Sequence, residues 1–188
     1  KTETQSAPSA ARGLRWVLLT LCVTEITSWG VLYYAFTVLS PQISADTGWS
    51  APSVTAAFSA GLVTSALVGI PVGRRLDRVG PRWIMTGGSV LGVGSVLAVV
   101  AAPNFGWFAA AWVVSGVAMS AVFYAPAFAA LTRFFGTDAV RALTVLTMVA
   151  GFSSTVFAPL TAALSAQPTW RNTYLVLAAV LAVVTIPA

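Results

Sequence analysis

Histidine is missing from this sequence, and cysteine occurs once, as Cys22 within an apolar run. No disulfide can close inside the chain, no His/Cys metal site can be assembled, and Ser–His catalysis, including that of intramembrane serine proteases, is ruled out. Charge is nearly as scarce: ten Lys and Arg with five Asp and Glu make 8% of the 188 residues, where soluble domains carry roughly 25%. No Gly-x-x-x-x-Gly-Lys loop is present to cradle a nucleotide phosphate. An enzyme has almost nothing here to work with, and neither a metal nor another cofactor is expected.

What remains is apolar. Hydrophobic residues make up 57% of the chain, and the mean hydropathy is +0.85, a composition that belongs to a polytopic membrane protein. A net charge of +5 would suggest nucleic acid in a soluble protein. Here the cations gather at the ends of apolar runs, where they set orientation in a membrane, and no nucleic-acid partner is expected. The chain opens on Lys1 without an initiator Met, so a longer translation product is expected.

The densest charge is the stretch Gly73-Arg74-Arg75-Leu76-Asp77-Arg78-Val79-Gly80-Pro81-Arg82. Moving a single Arg to a bilayer centre costs about 2.5–3.5 kcal/mol on insertion scales, so these residues belong in water or among headgroups. The two glycines free the backbone and Pro81 ends one element before the next, which predicts a tight basic hairpin between two membrane helices. Upstream, residues 1–13 are small and polar and read as a disordered cytoplasmic tail. The apolar run after them is too long for a signal peptide and carries Glu25. Six spans are predicted, about Leu14–Leu39, Ala51–Leu76, Arg82–Ala101, Phe105–Phe134, Ala139–Ala166 and Trp170–Pro187, each near the length that crosses a bilayer.

Orientation follows from counting. With the tail in the cytoplasm, nine cations (Lys1, Arg12, Arg15, Arg74, Arg75, Arg78, Arg82, Arg133, Arg141) fall inside and only Arg171 outside. This positive-inside bias places both ends of the segment in the cytoplasm and the protein in the cytoplasmic membrane, in contact with lipid. Five tryptophans (Trp16, Trp49, Trp83, Trp107, Trp170) sit at span ends, as in an aromatic belt. Gly69/Gly73, Gly88/Gly92 and Gly116/Ser120 each place two small residues on one helix face, which allows close helix approach. Pro71, Pro126 and Pro159 lie inside spans, where kinks are expected.

The basic hairpin resembles the G-x-x-x-D-x-x-G-R-R/K signature between the second and third helices of the major facilitator superfamily. Gly73, Asp77 and Gly80 match it, with Pro81-Arg82 at the closing basic pair and Arg78 one turn back. Trp29-Gly30 with Tyr33-Tyr34-Ala35-Phe36, and then Gly48-Trp49-Ser50, is similar to the first helix of monocarboxylate porters and oxalate–formate exchangers. Phe134-Phe135 with Arg141-Ala142-Leu143, and Trp170-Arg171 with Thr173-Tyr174, resemble the fifth and sixth helix openings of that group. Two positions depart: Trp112 stands where many proton-coupled relatives carry arginine, and the antiporter Gly-Pro appears as Ala158-Pro159. Neither proton coupling nor exchange therefore carries over.

The resemblance implies an all-α membrane protein of six transmembrane helices arranged as two inverted three-helix repeats, half of a facilitator-superfamily fold. It implies secondary active transport of a small solute by alternating access, with a monocarboxylate or other organic anion as the solute class. A second six-helix half, in the same chain or a partner chain, would complete the pathway. The rival reading is a six-span membrane scaffold or assembly partner that moves nothing.

Individual residues sharpen this. Glu25 is the one acid within a predicted span, about 16 Å along the helix from Leu14. It is either a proton-coupling or cation-contacting group, or a carboxyl satisfied by Ser and Thr neighbours or by water. Trp29 and Tyr33 follow at helical spacing on the same face, which either lines a cavity or joins the aromatic belt. Tyr124, on the Gly116/Ser120 face, is a similar candidate for solute contact, set against ordinary packing. From the resemblance, Gly73, Asp77, Arg78, Gly80 and Arg82 form a gating motif, with Arg133 and Arg141 as inner-face partners for Asp77. Plain positive-inside topology would explain the arginines but not the aspartate among them.

Overall fold

Polar caps start the helices and glycine stops them. Ser50 accepts from the Ser53 amide at 3.3 Å, Asn104 from the Trp107 amide at 2.9 Å and Thr169 from the Asn172 amide at 3.3 Å. Each fills one of the donors that a helix N-terminus leaves open. Gly48 (φ +72°), Gly80 (φ +86°) and Gly136 (φ +51°) take up backbone that side-chain-bearing residues rarely adopt, and a helix ends at each.

The computed structural model describes residues 7–166 and 169–187, and all of its regular structure is helical. The first rod joins α1 (Ala7–Trp29), a π-helix (Gly30–Tyr34) and α2 (Ala35–Thr47). The second is α3 (Ala51–Val79) and the third α4 (Pro81–Val100). The fourth breaks into α5 (Phe105–Val122) and α6 (Tyr124–Phe135), followed by a 3-10 turn, Gly136–Asp138. The fifth joins α7 (Ala139–Gly151) and α8 (Ser153–Leu164), and the sixth is α9 (Trp170–Thr185). Five rods are long and apolar enough to cross a membrane. The sixth is apolar but has only 16 residues, about 24 Å of helix.

Several boundaries differ from the sequence expectation. Helix begins by Ala7, inside the stretch expected to be a disordered tail, while residues 1–6 lie outside the described ones. The first rod runs eight residues beyond Leu39, because Pro41 is accommodated within α2 and Gly48 alone supplies the left-handed backbone that ends it. Of the three prolines expected to kink their spans, Pro71 lies in an unbroken α3. Pro126 follows a real break, with Phe123 extended (φ −84°, ψ −167°). The fifth rod is interrupted at Phe152 rather than at Pro159, which sits inside α8.

Packing is closest where side chains are smallest. Gly116 of α5 lies against the backbone of Gly61 in α3, and a Cβ on either glycine would strike a main-chain carbonyl. Gly88 of α4 presses on Ala121 and Val122, and Gly30 faces the Phe157 ring of α8. Between membrane helices, where apolar burial drives little, such backbone approach supplies the packing. Ser115 donates to Ser95 at 2.9 Å between α5 and α4, both buried. Gly69 and Gly73, expected to pack in the same way, have open space where a Cβ would go. They share α3 with Val63, Leu67 and Ile70, each about 60% exposed (59%, 66% and 62%). Of the predicted belt, Trp16, Trp83 and Trp107 are exposed, but Trp170 is fully buried.

Candidate functional site

Midway along the first and fourth rods the backbone leaves regular α-helix twice. The π-helix at Gly30–Tyr34 widens one turn of the first, and the extended Phe123 opens the fourth. Irregular backbone at membrane depth survives only where protein buries it or water reaches it, and π-turns gather at functional sites. These two irregularities meet. The Trp29 indole, at the last position of α1, stacks on Phe123 at 4.0 Å between centroids and 9° between planes.

The sequence candidates converge here. Trp29 Nε1 donates to Glu25 Oε2 at 3.1 Å, one helical turn below it. Tyr33 stands edge-on to Trp29 at 5.5 Å and Tyr124 lies tilted at 5.2 Å. Glu25 is completely buried, and its second oxygen, Oε1, has no hydrogen-bond partner. Its neighbouring hydroxyls bond elsewhere, Thr24 to the Leu21 carbonyl and Thr27 to the Val23 carbonyl. Of the sources suggested for satisfying the carboxyl, Ser and Thr neighbours supply none; the indole supplies one bond. Trp29, Tyr33, Phe123 and Tyr124 are half-buried. Tyr33 continues the aromatic run to Tyr34 and Phe58, and Tyr124 to Phe128.

The gating motif forms the turn between α3 and α4. Gly80 turns the chain at positive φ, and the Arg133 guanidinium lies 3.3 Å from where a Gly80 Cβ would stand. Arg133 thus reaches the turn. Asp77, however, forms no ion pair with Arg133 or Arg141, since Asp46–Arg171 is the one ion pair among the described residues. The side chains of Asp77, Arg133 and Arg141 are exposed, and hydration outcompetes such a pair. Gly73 lies two turns back inside α3 and Arg78 in its last turn, while Arg82 opens α4, with Arg78 and Arg82 exposed.

A larger feature was not foreseen from the sequence. At the opposite end of the bundle, Asp46 Oδ2 accepts from Trp170 Nε1 at 2.9 Å and from Arg171 Nη1 at 3.1 Å. Arg171 Nε also donates to the Val100 carbonyl at 3.0 Å, and its guanidinium lies 4.4 Å over the Trp170 ring. One carboxylate and one guanidinium so tie the ends of α2, α4 and α9. Trp170-Arg171 was visible as a motif, but Asp46, 124 positions from Trp170, carried no local signal.

The larger described cavity, about 350 Å³, lies elsewhere, between α1, α4 and α6. Hydroxyls of Thr20, Thr24 and Ser89 and apolar carbons line it, with exposed Arg82 among its walls. Neither the buried acid nor the stacked rings open into it.

A spanning bundle with a charged turn of this pattern at one end and an acid among irregular helices at mid-depth has a family match. The sequence model of the Major Facilitator Superfamily fits residues 21–188. The chain belongs to this superfamily. No curated protein matches it. Members of this superfamily are membrane transporters, and the five long apolar rods fit a multi-pass membrane protein.

Proposed function

We propose that this chain is one six-helix bundle of a secondary active transporter, which moves a small solute across the cytoplasmic membrane by rocking against a second bundle. The observation that carries the reading is Glu25, buried at mid-rod under an indole, where the first and fourth rods both leave regular helix. Discontinuous helices of this kind hold solutes and coupling ions near the midplane in transporters built from repeats. In this reading Glu25, Trp29, Tyr33 and Tyr124 line the solute pathway.

The arrangement as two inverted three-helix repeats is supported by the neighbours each rod keeps. The second and third rods pack on the fourth, the fifth and sixth on the first, and the third on the sixth. Exchanging rods one, two and three for four, five and six leaves that set unchanged. It also matches the π-turn of the first rod with the break of the fourth. A second bundle is supported by burial. The apolar stretches of the first and fourth rods are 50% and 56% buried, while those of the second and fifth are only 22% buried each. Large apolar side chains and the Gly69/Gly73 stripe on α3 face outward, which is the surface a second bundle would cover.

The gating reading of Asp77 rests on its place at the charged turn beside Gly80 and Arg133. In the positive-inside orientation this turn and both ends of the segment face the cytoplasm. An organic anion, the solute class suggested by the resemblance to monocarboxylate porters, finds no cation on the aromatic face among the described residues. Its counter-charge would have to come from the second bundle.

Counterflow in proteoliposomes tests the reading. Loaded vesicles should exchange one class of labelled small organic ion or neutral solute, Asp77→Asn should abolish it, and Glu25→Gln should flatten its pH dependence. Vesicles that stay sealed to every class would identify a scaffold instead, and an unchanged pH profile would return Glu25 to packing.

A further inference from the structure

The cavity of about 350 Å³ takes no part in the proposed solute pathway, though it is large enough for a ligand. α1 and α4 each pack on α6 and on α9, and the cavity occupies the space left between them. The short side chains of Ser28, Ser89 and Ala130 wall its deep end and are buried. Arg82, Trp16 and Phe134 stand exposed at its other end, beside the charged turn. Trp16 and Ser28, both in its walls, are about 18 Å apart along α1. One leaflet of a bilayer holds about 15 Å of hydrocarbon, half of the roughly 30 Å core. No wall comes from α3 or α8, so a second bundle seated on the exposed face of α3 would leave the cavity open to lipid.

Polarity changes along that length. Thr24, Thr86 and Thr185 donate to carbonyls of their own helices at 3.0, 2.9 and 2.8 Å, so these hydroxyls have no proton to spare for a guest, and Leu21 and Met85 add only apolar surface. Among the described residues no acid lines the cavity and Arg82 has no ion-pair partner. Arg15 and Arg133, next in sequence to Trp16 and Phe134, are exposed as well. Asp77 in the neighbouring turn is outnumbered by Arg78, Arg82 and Arg133. From this layout we infer that the cavity is a site for an anionic phospholipid drawn from the leaflet at the charged end, with one acyl chain inside it and the phosphate on Arg82. A guanidinium meets phosphate oxygens two at a time, and an acyl chain loses nothing by leaving lipid for walls of carbon. A polar solute would bury donors and acceptors that these walls leave unmet. Such a site needs the chain to span a membrane and needs no particular solute to be transported.

Photolabelling of the protein in phosphatidylcholine nanodiscs tests the site. The probes are phosphatidylglycerol and phosphatidylcholine with identical chains, each carrying a diazirine midway along one of them. The phosphatidylglycerol probe should label Thr24, Ser89 and Ala130 about fivefold more than the phosphatidylcholine probe, the gain from one cation facing an anionic head group. Leu97, exposed toward the other end of α4, should take both probes equally. Arg82→Gln should abolish the preference, and Ala130→Leu, which fills the deep end, should lower labelling of Thr24 and Ser89 by both probes while sparing Leu97. Cavity residues labelled no more than Leu97, equal labelling by the two head groups, or a preference that survives Arg82→Gln would each overturn the inference. Unlabelled oleate displacing the probe as well as unlabelled phosphatidylglycerol does would also overturn it and assign the cavity to a free fatty acid. The head-group comparison on the unaltered protein holds even if a variant misfolds.

Discussion

Asp46 offers the cleanest perturbation because its two bonds differ in kind. Trp170 is fully buried, so its indole N–H, bonded to Asp46 Oδ2 at 2.9 Å, has no water to turn to. Leaving such a donor unmet costs about 1–3 kcal/mol. The pair with Arg171 is different. Its side chains are 35% and 46% exposed, and exposed pairs contribute about 0.2–1 kcal/mol. Arg171 also keeps its bond to the Val100 carbonyl and its seat over the Trp170 ring when the acid is removed. Asp46→Ala should therefore destabilise the bundle by about 1.2–4 kcal/mol, adding the orphaned indole to the lost pair. Asp46→Asn keeps an acceptor for the indole and loses only charge, so it should cost less than about 1 kcal/mol. Reversible unfolding in mixed micelles with rising dodecyl sulfate, followed by tryptophan fluorescence, measures both. Equal losses for the two variants, or a loss under about 0.5 kcal/mol for Asp46→Ala, would refute the view that a buried indole is anchored here.

Other substitutions test other contacts. Gly116→Val drives a side chain into the Gly61 backbone and should cost about 3 kcal/mol or prevent folding, while Gly69→Ala, pointing into open space, should shift stability by less than about 0.5 kcal/mol; gel filtration and the same unfolding titration compare them. Ser115→Ala removes the hydrogen bond to Ser95 and should cost about 0.6 kcal/mol, the average for interhelical bonds in membranes. Asp77→Asn, with no ion-pair partner among the described residues, should leave unfolding unchanged within about 0.5 kcal/mol while solute counterflow falls. A stability loss as large as the transport loss would make Asp77 structural.

Some of the molecule could be read from one residue after another. Charge cannot rest in hydrocarbon, so the spacing of arginines between apolar runs marked the rods and the turn at Gly80, and caps such as Ser50 and Asn104 act within three residues of themselves. Glu25, Trp29 and Tyr33 were placed on one face because helical spacing alone determines which residues share a side. Tyr124 was a candidate on its own helix, but nothing local said that it meets Trp29.

Tertiary structure decided what lies between distant residues. Phe123 sits under Trp29 because the fourth rod opens there against the first. Gly61 and Gly116 became a contact, while Gly69 and Gly73, with the same small-residue spacing, did not. Asp46 found Trp170 and Arg171 from the far end of the chain, whereas Asp77, beside a crowd of arginines, found no ion-pair partner among the described residues. A sequence displays periodicity and solvation preference, which are properties of short stretches. Which faces meet depends on how whole rods pack, and that is set by the sum of many weak contacts between surfaces far apart along the chain.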